Sequence, residues 1–211
     1  MRPLSLKTTL LATTSVLLLS SLSGAVVEAQ SNVRSTFPGR RVGGGTRGEC
    51  SARTLVHLVP DSSVYAPDGT GTLGLVQGPT ANPVSLKLSF KPEGGGAEST
   101  RTLAATSASL TLISSAATTA PTVWESSFNC ESGDGGASAD PLAFIQSSSP
   151  PAISLLLPEA EASDKPIQAA LASLRARCGT TVPAETTLAQ FGLGDLVTSE
   201  WPDQLPVRCP S

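Results

Sequence analysis

From residue 55 to residue 157 the chain runs in short apolar segments, each closed off by proline or glycine, and this rhythm restricts it to β architecture. The clearest segment is Val84 to Phe90, where Val84, Leu86, Leu88 and Phe90 alternate with Ser85, Lys87 and Ser89. Successive side chains of a strand point to opposite faces, so this segment has one apolar and one wet face, the mark of an antiparallel sheet laid on a core. Segments of the same kind are Leu55 to Val59, Thr72 to Gln77, Thr102 to Ser114, Thr122 to Cys130, Leu142 to Ser147 and Ile153 to Leu157. Reversal points lie at Pro67 to Gly69, Pro79 to Pro83, Pro92 to Gly96, Gly133 to Gly136 and Pro150 with Pro151, since glycine accepts positive φ and proline cannot donate to a ladder. The expectation is a mainly β fold: an antiparallel β-sandwich of two sheets, with an open barrel as the alternative.

The character changes after Pro158. Ser163 or Asp164 caps a helix whose early Pro166 suits a first turn, and Ile167, Ala170, Leu171, Leu174 and Cys178 share one helical face before Gly179 ends it. This is the single C-terminal helix expected. A weaker turn is placed at Leu188 to Leu196, and the tail from Trp201 to Ser211 is polar and proline-rich. Residues 50–158 are therefore read as the sandwich domain and 159–211 as a helical C-terminal extension. Residues 30–49, rich in glycine and arginine, have little to bury and are expected to form a flexible arm.

Residues 1–29 read as a secretory signal peptide: Arg2 and Lys7 give a positive start, Leu10 to Leu22 form an apolar stretch too short for a membrane span, and Val27, Glu28 and Ala29 suit cleavage after Ala29. Ala25 stands where a lipoprotein would carry its cysteine, so neither lipid anchoring nor stable membrane insertion is expected after cleavage. The predicted location is periplasmic or secreted. The net charge is −3 and becomes slightly more negative without the signal. A nucleic-acid partner would need a concentrated basic face, and only Arg40, Arg41 and Arg47 cluster, so none is expected.

Aromatic residues make up only 4% of the chain, which leaves the core resting on Leu, Val and Ile. Covalent staples would help such a core. Cys50, Cys130, Cys178 and Cys209 give an even number in an exported chain, which favours two disulfides; their wide spacing does not fit a metal site. Three connectivities are open. Pairing Cys50 with Cys130 and Cys178 with Cys209 places one bridge in each half.

Candidate chemistry is thin. His57 is the only histidine and so the only imidazole base; alternation sets it on the face of Leu55 and Val59, either half wet or hydrogen-bonded inside. The run Gly43 to Gly48 lacks the lysine and following helix of a phosphate loop. Glu131, Gly133, Asp134 and Asp140 lack the ligand spacing of a calcium loop and read as a solvated hairpin. Trp124, Ser126, Phe128 and Cys130 share one face of a strand, either a core strand on its disulfide or a shallow aromatic binding patch of Trp124 and Phe128. No catalytic, cofactor or metal residue is selected.

The segments GRRVGGGTRGEC and LVHLVP, with TVWESSFNC and ISLLLP further on, resemble a family of exported cyanobacterial proteins of unknown function, over roughly Pro38 to Cys130. The resemblance implies export and β architecture, and it supports pairing Cys50 with Cys130. An aromatic-rich strand expected after the first hairpin is missing, and the segment from Glu159 onward has no counterpart. The functional expectation is a non-enzymatic binding or structural module of the cell envelope or exterior, its partner an envelope protein, peptide or glycan. The alternative is an exported hydrolase using His57 or an acidic pair.

Overall fold

The computed structural model describes residues 33–45, 53–129 and 150–210. Residues up to Thr36 form a separate unit, of which residues 33–36 are helical. The account below concerns the unit that begins at Phe37.

Eleven strands among the described residues form two sheets. They are β1 (Val42–Gly45), β2 (Arg53–His57), β3 (Val64–Tyr65), β4 (Thr72–Gln77), β5 (Leu86–Pro92), β6 (Ser99–Leu103), β7 (Ser109–Ser114), β8 (Thr122–Phe128), β9 (Ala152–Leu156), β10 (Thr181–Pro183) and β11 (Gln204–Arg208). The first sheet has the order β1-β2-β4-β7-β11-β10 and the second β3-β9-β8-β5-β6. Neither closes into a barrel, so the sandwich expectation holds. The sheets are mixed, however: β11 runs parallel to β7, and β3 parallel to β9.

The alternation read in Val84 to Phe90 is realised in β5. Leu86 and Leu88 are buried, Lys87 between them is exposed, and Phe90 is half-buried. Pairing with β8 sets Leu86 beside Phe128, Leu88 beside Ser126 and Phe90 beside Trp124, which makes the inner face of the second sheet. Leu55, His57, Leu75 and Thr111 face it from the first sheet, in register across β2, β4 and β7.

The opposite face of the first sheet is covered by helix α1 (Lys165–Arg175), followed later by α2 (Ala184–Ala189) and a 3₁₀ turn at Gly194–Leu196. Asp164 precedes α1 and Pro166 sits in its first turn, while Ile167, Ala170, Leu171 and Leu174 are the buried face, as their spacing predicts. Gly74 makes the docking close, since a Cβ there would lie 2.6 Å from the Leu171 side chain. The layers therefore run second sheet, first sheet, helices.

Two expectations are corrected. The proline-rich tail is no appendage: β11 lies between β7 and β10 inside the first sheet, with Leu205 and Val207 buried. The residues from 159 onward are consequently not an extension beside a finished sandwich, since α1 packs on β4 and β7 and β11 completes the first sheet. The glycine- and arginine-rich arm is likewise part of the fold over residues 40–45. Val42–Gly45 pairs with β2, while Arg40 exchanges two backbone hydrogen bonds with Ile153 of the second sheet, at 2.9 and 2.7 Å. This segment passes from one sheet to the other, and glycine permits the passage: a Cβ on Gly43 would stand against the Ala152 nitrogen and 2.6 Å from the Pro151 carbonyl carbon.

The arginines of the segment act as clamps on the fold. Arg40 donates to Pro151 O at 3.1 and 3.2 Å. Arg41 donates to Val59 O at 2.9 Å, Phe191 O at 2.8 Å and Gly192 O at 3.3 Å, and pairs with Asp61. The segment expected at Thr102 to Ser114 is two strands, β6 and β7, and the one expected at Leu142 to Ser147 lies outside the described residues, as do residues 46–49.

Candidate functional site

The chain's single histidine is where chemistry would be sought first, and the fold places it at the centre of the sandwich. His57 ends β2, has no exposed surface, and points at the second sheet. Its Nδ1 stands 2.8 Å from Ser154 Oγ on β9 and its Nε2 2.7 Å from Ser126 Oγ on β8. A neutral imidazole has one donor and one acceptor nitrogen, and a hydroxyl can take either part, so one serine accepts from the ring and the other donates to it. Ser126 and Ser154 are also without exposed surface. Their neighbouring positions follow from the register: Trp124 pairs with Ser154 and Ser126 with Ala152.

Trp124 completes the group. Its ring lies 3.5 Å from the His57 ring at 7° between planes, and Phe90 stacks beyond it at 6.3 Å and 10°. Trp124 is fully buried, so the shallow binding patch expected of Trp124 and Phe128 does not exist at the surface; Phe128 is half-buried on the same inner face. The indole N–H of Trp124 has no acceptor among the described residues, a cost of about 1–3 kcal/mol. Stacking between two rings while burying a large apolar body outweighs that cost.

The electrostatics follow from the burial. Desolvation holds the His57 imidazole well below its ordinary pKa. A positive imidazole would gain roughly 0.5–2 kcal/mol from the Trp124 face, too little against the loss of water. His57 is thus a neutral hydrogen-bonded core residue. A serine within 2.7 Å of an imidazole has the spacing of a nucleophile and its base, but here the base is oriented by a second serine and substrate cannot reach either hydroxyl without parting the sheets.

Tyr65 and Asp164 are the other fully buried polar side chains of note. Asp164 accepts from Ala66 N at 3.2 Å and Glu161 N at 2.8 Å, which ties β3 to the start of α1. Burial, followed by the nearby Asp68 and Asp164 carboxylates, pushes the Tyr65 phenol upward. Both are structural. Family models, curated proteins and solved structures were compared with the chain, and none matches.

At the surface, Cys178 and Cys209 form a disulfide with 5.7 Å between their Cα atoms, as paired in the reading by halves. Both half-cystines are exposed, and the bridge ties the end of β11 to the chain just past α1. Cys50 and Cys130 lie outside the described residues, as do Arg47, Glu131, Gly133, Asp134 and Asp140. Among the described residues no three His, Cys, Asp or Glu side chains group as metal ligands, and no helix is long and apolar enough to cross a membrane. Two concavities stand out at the surface. One, on the outer face of the second sheet, carries Lys87, Lys91, Glu98 and Glu125. The other is a cleft of about 380 Å³ between the β5–β6 end of the second sheet and the connection from β7 to β8.

Proposed function

We propose that this chain is an exported, disulfide-stapled β-sandwich module that acts in the cell envelope or outside the cell by binding a macromolecular partner. The observation that carries the reading is the bridge between Cys178 and Cys209. Both half-cystines are exposed, and such a bond persists in oxidising compartments. The N-terminal segment, with Arg2, Lys7 and the apolar stretch to Leu22, supports the same route. Against the hydrolase alternative stands the placement of His57, sealed between Ser126, Ser154 and Trp124. Glu98 and Glu125 share a surface concavity, but lysines share it with them and no feature singles the two out as an acid and a nucleophile.

The test is recovery of the protein from its own cells after crosslinking. A mature N-terminus at Gln30, an oxidised Cys178–Cys209 peptide and one recurring crosslinked envelope protein, peptide or glycan are the expected results. An intact Met1 with both thiols reduced would refute export. A chain recovered alone from saturating crosslinker would refute the binding role.

A further inference from the structure

β11 is held in the first sheet by short ladders. It joins β7 through two residue pairs, Val207 with Leu110 and Arg208 with Thr111, and β10 through three, from Thr181 with Pro206 to Pro183 with Gln204. β10 itself has Val182 as its one buried side chain. The disulfide stands beside this narrow attachment. Cys178 and Cys209 each lie three positions beyond the pair of Thr181 with Pro206, and in between Gly179 N donates to Val207 O at 2.9 Å and Val207 N to Thr180 O at 2.8 Å. Cys209 also follows directly on the pair of Arg208 with Thr111, so the bridge and the seam with β7 fasten the same end of β11. Without a covalent tie that end would rest on a few backbone bonds among exposed residues, and such stretches open locally at low cost.

The sulfurs are reachable in the folded protein. Both half-cystines are exposed, and a Cβ on Gly179, next to Cys178, would meet nothing within 4 Å. A shallow hollow of about 510 Å³ runs along the bridge, lined by the two half-cystines with Thr180, Pro206 and Arg208 among others. Exposed disulfides are the ones that exchange with external thiols, whereas buried ones resist. Arg177 and Arg208 precede the two half-cystines in the chain, and cationic neighbours favour the thiolate on which exchange depends.

We propose that the Cys178–Cys209 bridge is a redox latch: a dithiol reductant opens it in the folded protein, and opening it releases β10 and the C-terminal end of β11 from the first sheet. In the first step a thiolate of the dithiol attacks one Sγ; the S–S bond breaks, a mixed disulfide forms, and the other cysteine leaves as a thiolate that takes a proton. In the second, the remaining thiol of the dithiol attacks the mixed disulfide. The dithiol departs as a disulfide, and two electrons and two protons have passed to Cys178 and Cys209. This goes beyond the binding role, since the bond that suits an oxidising compartment would also report a change in its redox state.

The experiment has two arms, both in native buffer without denaturant. A thioredoxin whose resolving cysteine is replaced by serine is mixed with the oxidised mature protein, and a mixed disulfide on Cys178 or Cys209 is expected by peptide mass spectrometry. Amide hydrogen exchange is then compared between the oxidised protein and the double variant Cys178→Ser with Cys209→Ser, which opens the latch and leaves the other cysteines untouched. Exchange at Gly179 and Val207, measured relative to Val76 in β4 of the same sample, should rise by about tenfold or more in the variant. A bridge that is only a staple would raise all three amides together and leave the ratio unchanged. That result would overturn the proposal, as would the absence of a mixed disulfide. A double variant that is unfolded by circular dichroism would overturn it too, because a latch requires a folded open state.

Discussion

Acidification should weaken this fold through one residue. His57 is buried and neutral in the native state, while in the unfolded chain it titrates near its ordinary value of 6.5. The unfolded state then binds a proton that the native state refuses, so stability is full above that pH and falls as pH drops below it. The limiting slope is about 1.4 kcal/mol per pH unit, and from pH 6.5 to 5.5 the loss comes to about 1 kcal/mol. The window belongs to His57 because the chain has no second histidine. Urea unfolding followed by tryptophan fluorescence at half-unit steps from pH 5.5 to 8 measures it, with Trp124 stacked on the ring as reporter. His57→Gln, less stable throughout because it leaves one serine hydroxyl unmatched, should show no such slope. A flat wild-type profile, or the same slope in His57→Gln, would refute the placement of a neutral imidazole between the sheets.

Other perturbations test other parts of the fold. Gly43→Ala should cost about 1–3 kcal/mol in urea unfolding, because the added methyl meets backbone at Pro151 and Ala152, whereas Gly69→Ala, with nothing within 4 Å, should change little. Reducing Cys178–Cys209, which spans 31 residues, should lower stability by about 3–4 kcal/mol, read as a drop in denaturation midpoint under dithiothreitol and reproduced by Cys178→Ser with Cys209→Ser. Arg41→Met removes the donor to three backbone carbonyls and should cost about 2–4 kcal/mol. Asp61→Asn should stay within about 0.5 kcal/mol, since that carboxylate is 87% exposed. Equal losses for Arg41→Met and Asp61→Asn would show that the ion pair, and not the carbonyl contacts, holds this corner.

The strands with a regular apolar period were legible because alternation is a local property. β5 announced itself through Leu86, Leu88 and Phe90, and α1 through Ile167, Ala170, Leu171 and Leu174. β1 was not, since its sequence is Val-Gly-Gly-Gly and glycine carries no hydropathy; what makes it a strand is a tight approach to Pro151 and Ala152, more than a hundred residues away. β11 does alternate, with Leu205 and Val207 buried, but Pro206 between them reads as a loop. In the structure Pro206 is exposed between them and still fits opposite Thr181. Alternation places His57 on the face of Leu55 and Val59, while the two serines that hydrogen-bond its ring stand 69 and 97 positions further on, beyond any local pattern.

The placement of β11 also bears on how the chain is made. Residues 204–208 lie between β7 and β10, so the first sheet cannot be completed until synthesis has passed Arg208. Arg208 must then find Thr111, a contact spanning nearly half the chain, and long-range pairing of this kind forms slowly. The nascent protein consequently spends its synthesis with β7 lacking a neighbour on one side. Until β11 is in place Cys209 is not held beside Cys178, so the disulfide closes only after this long-range pairing.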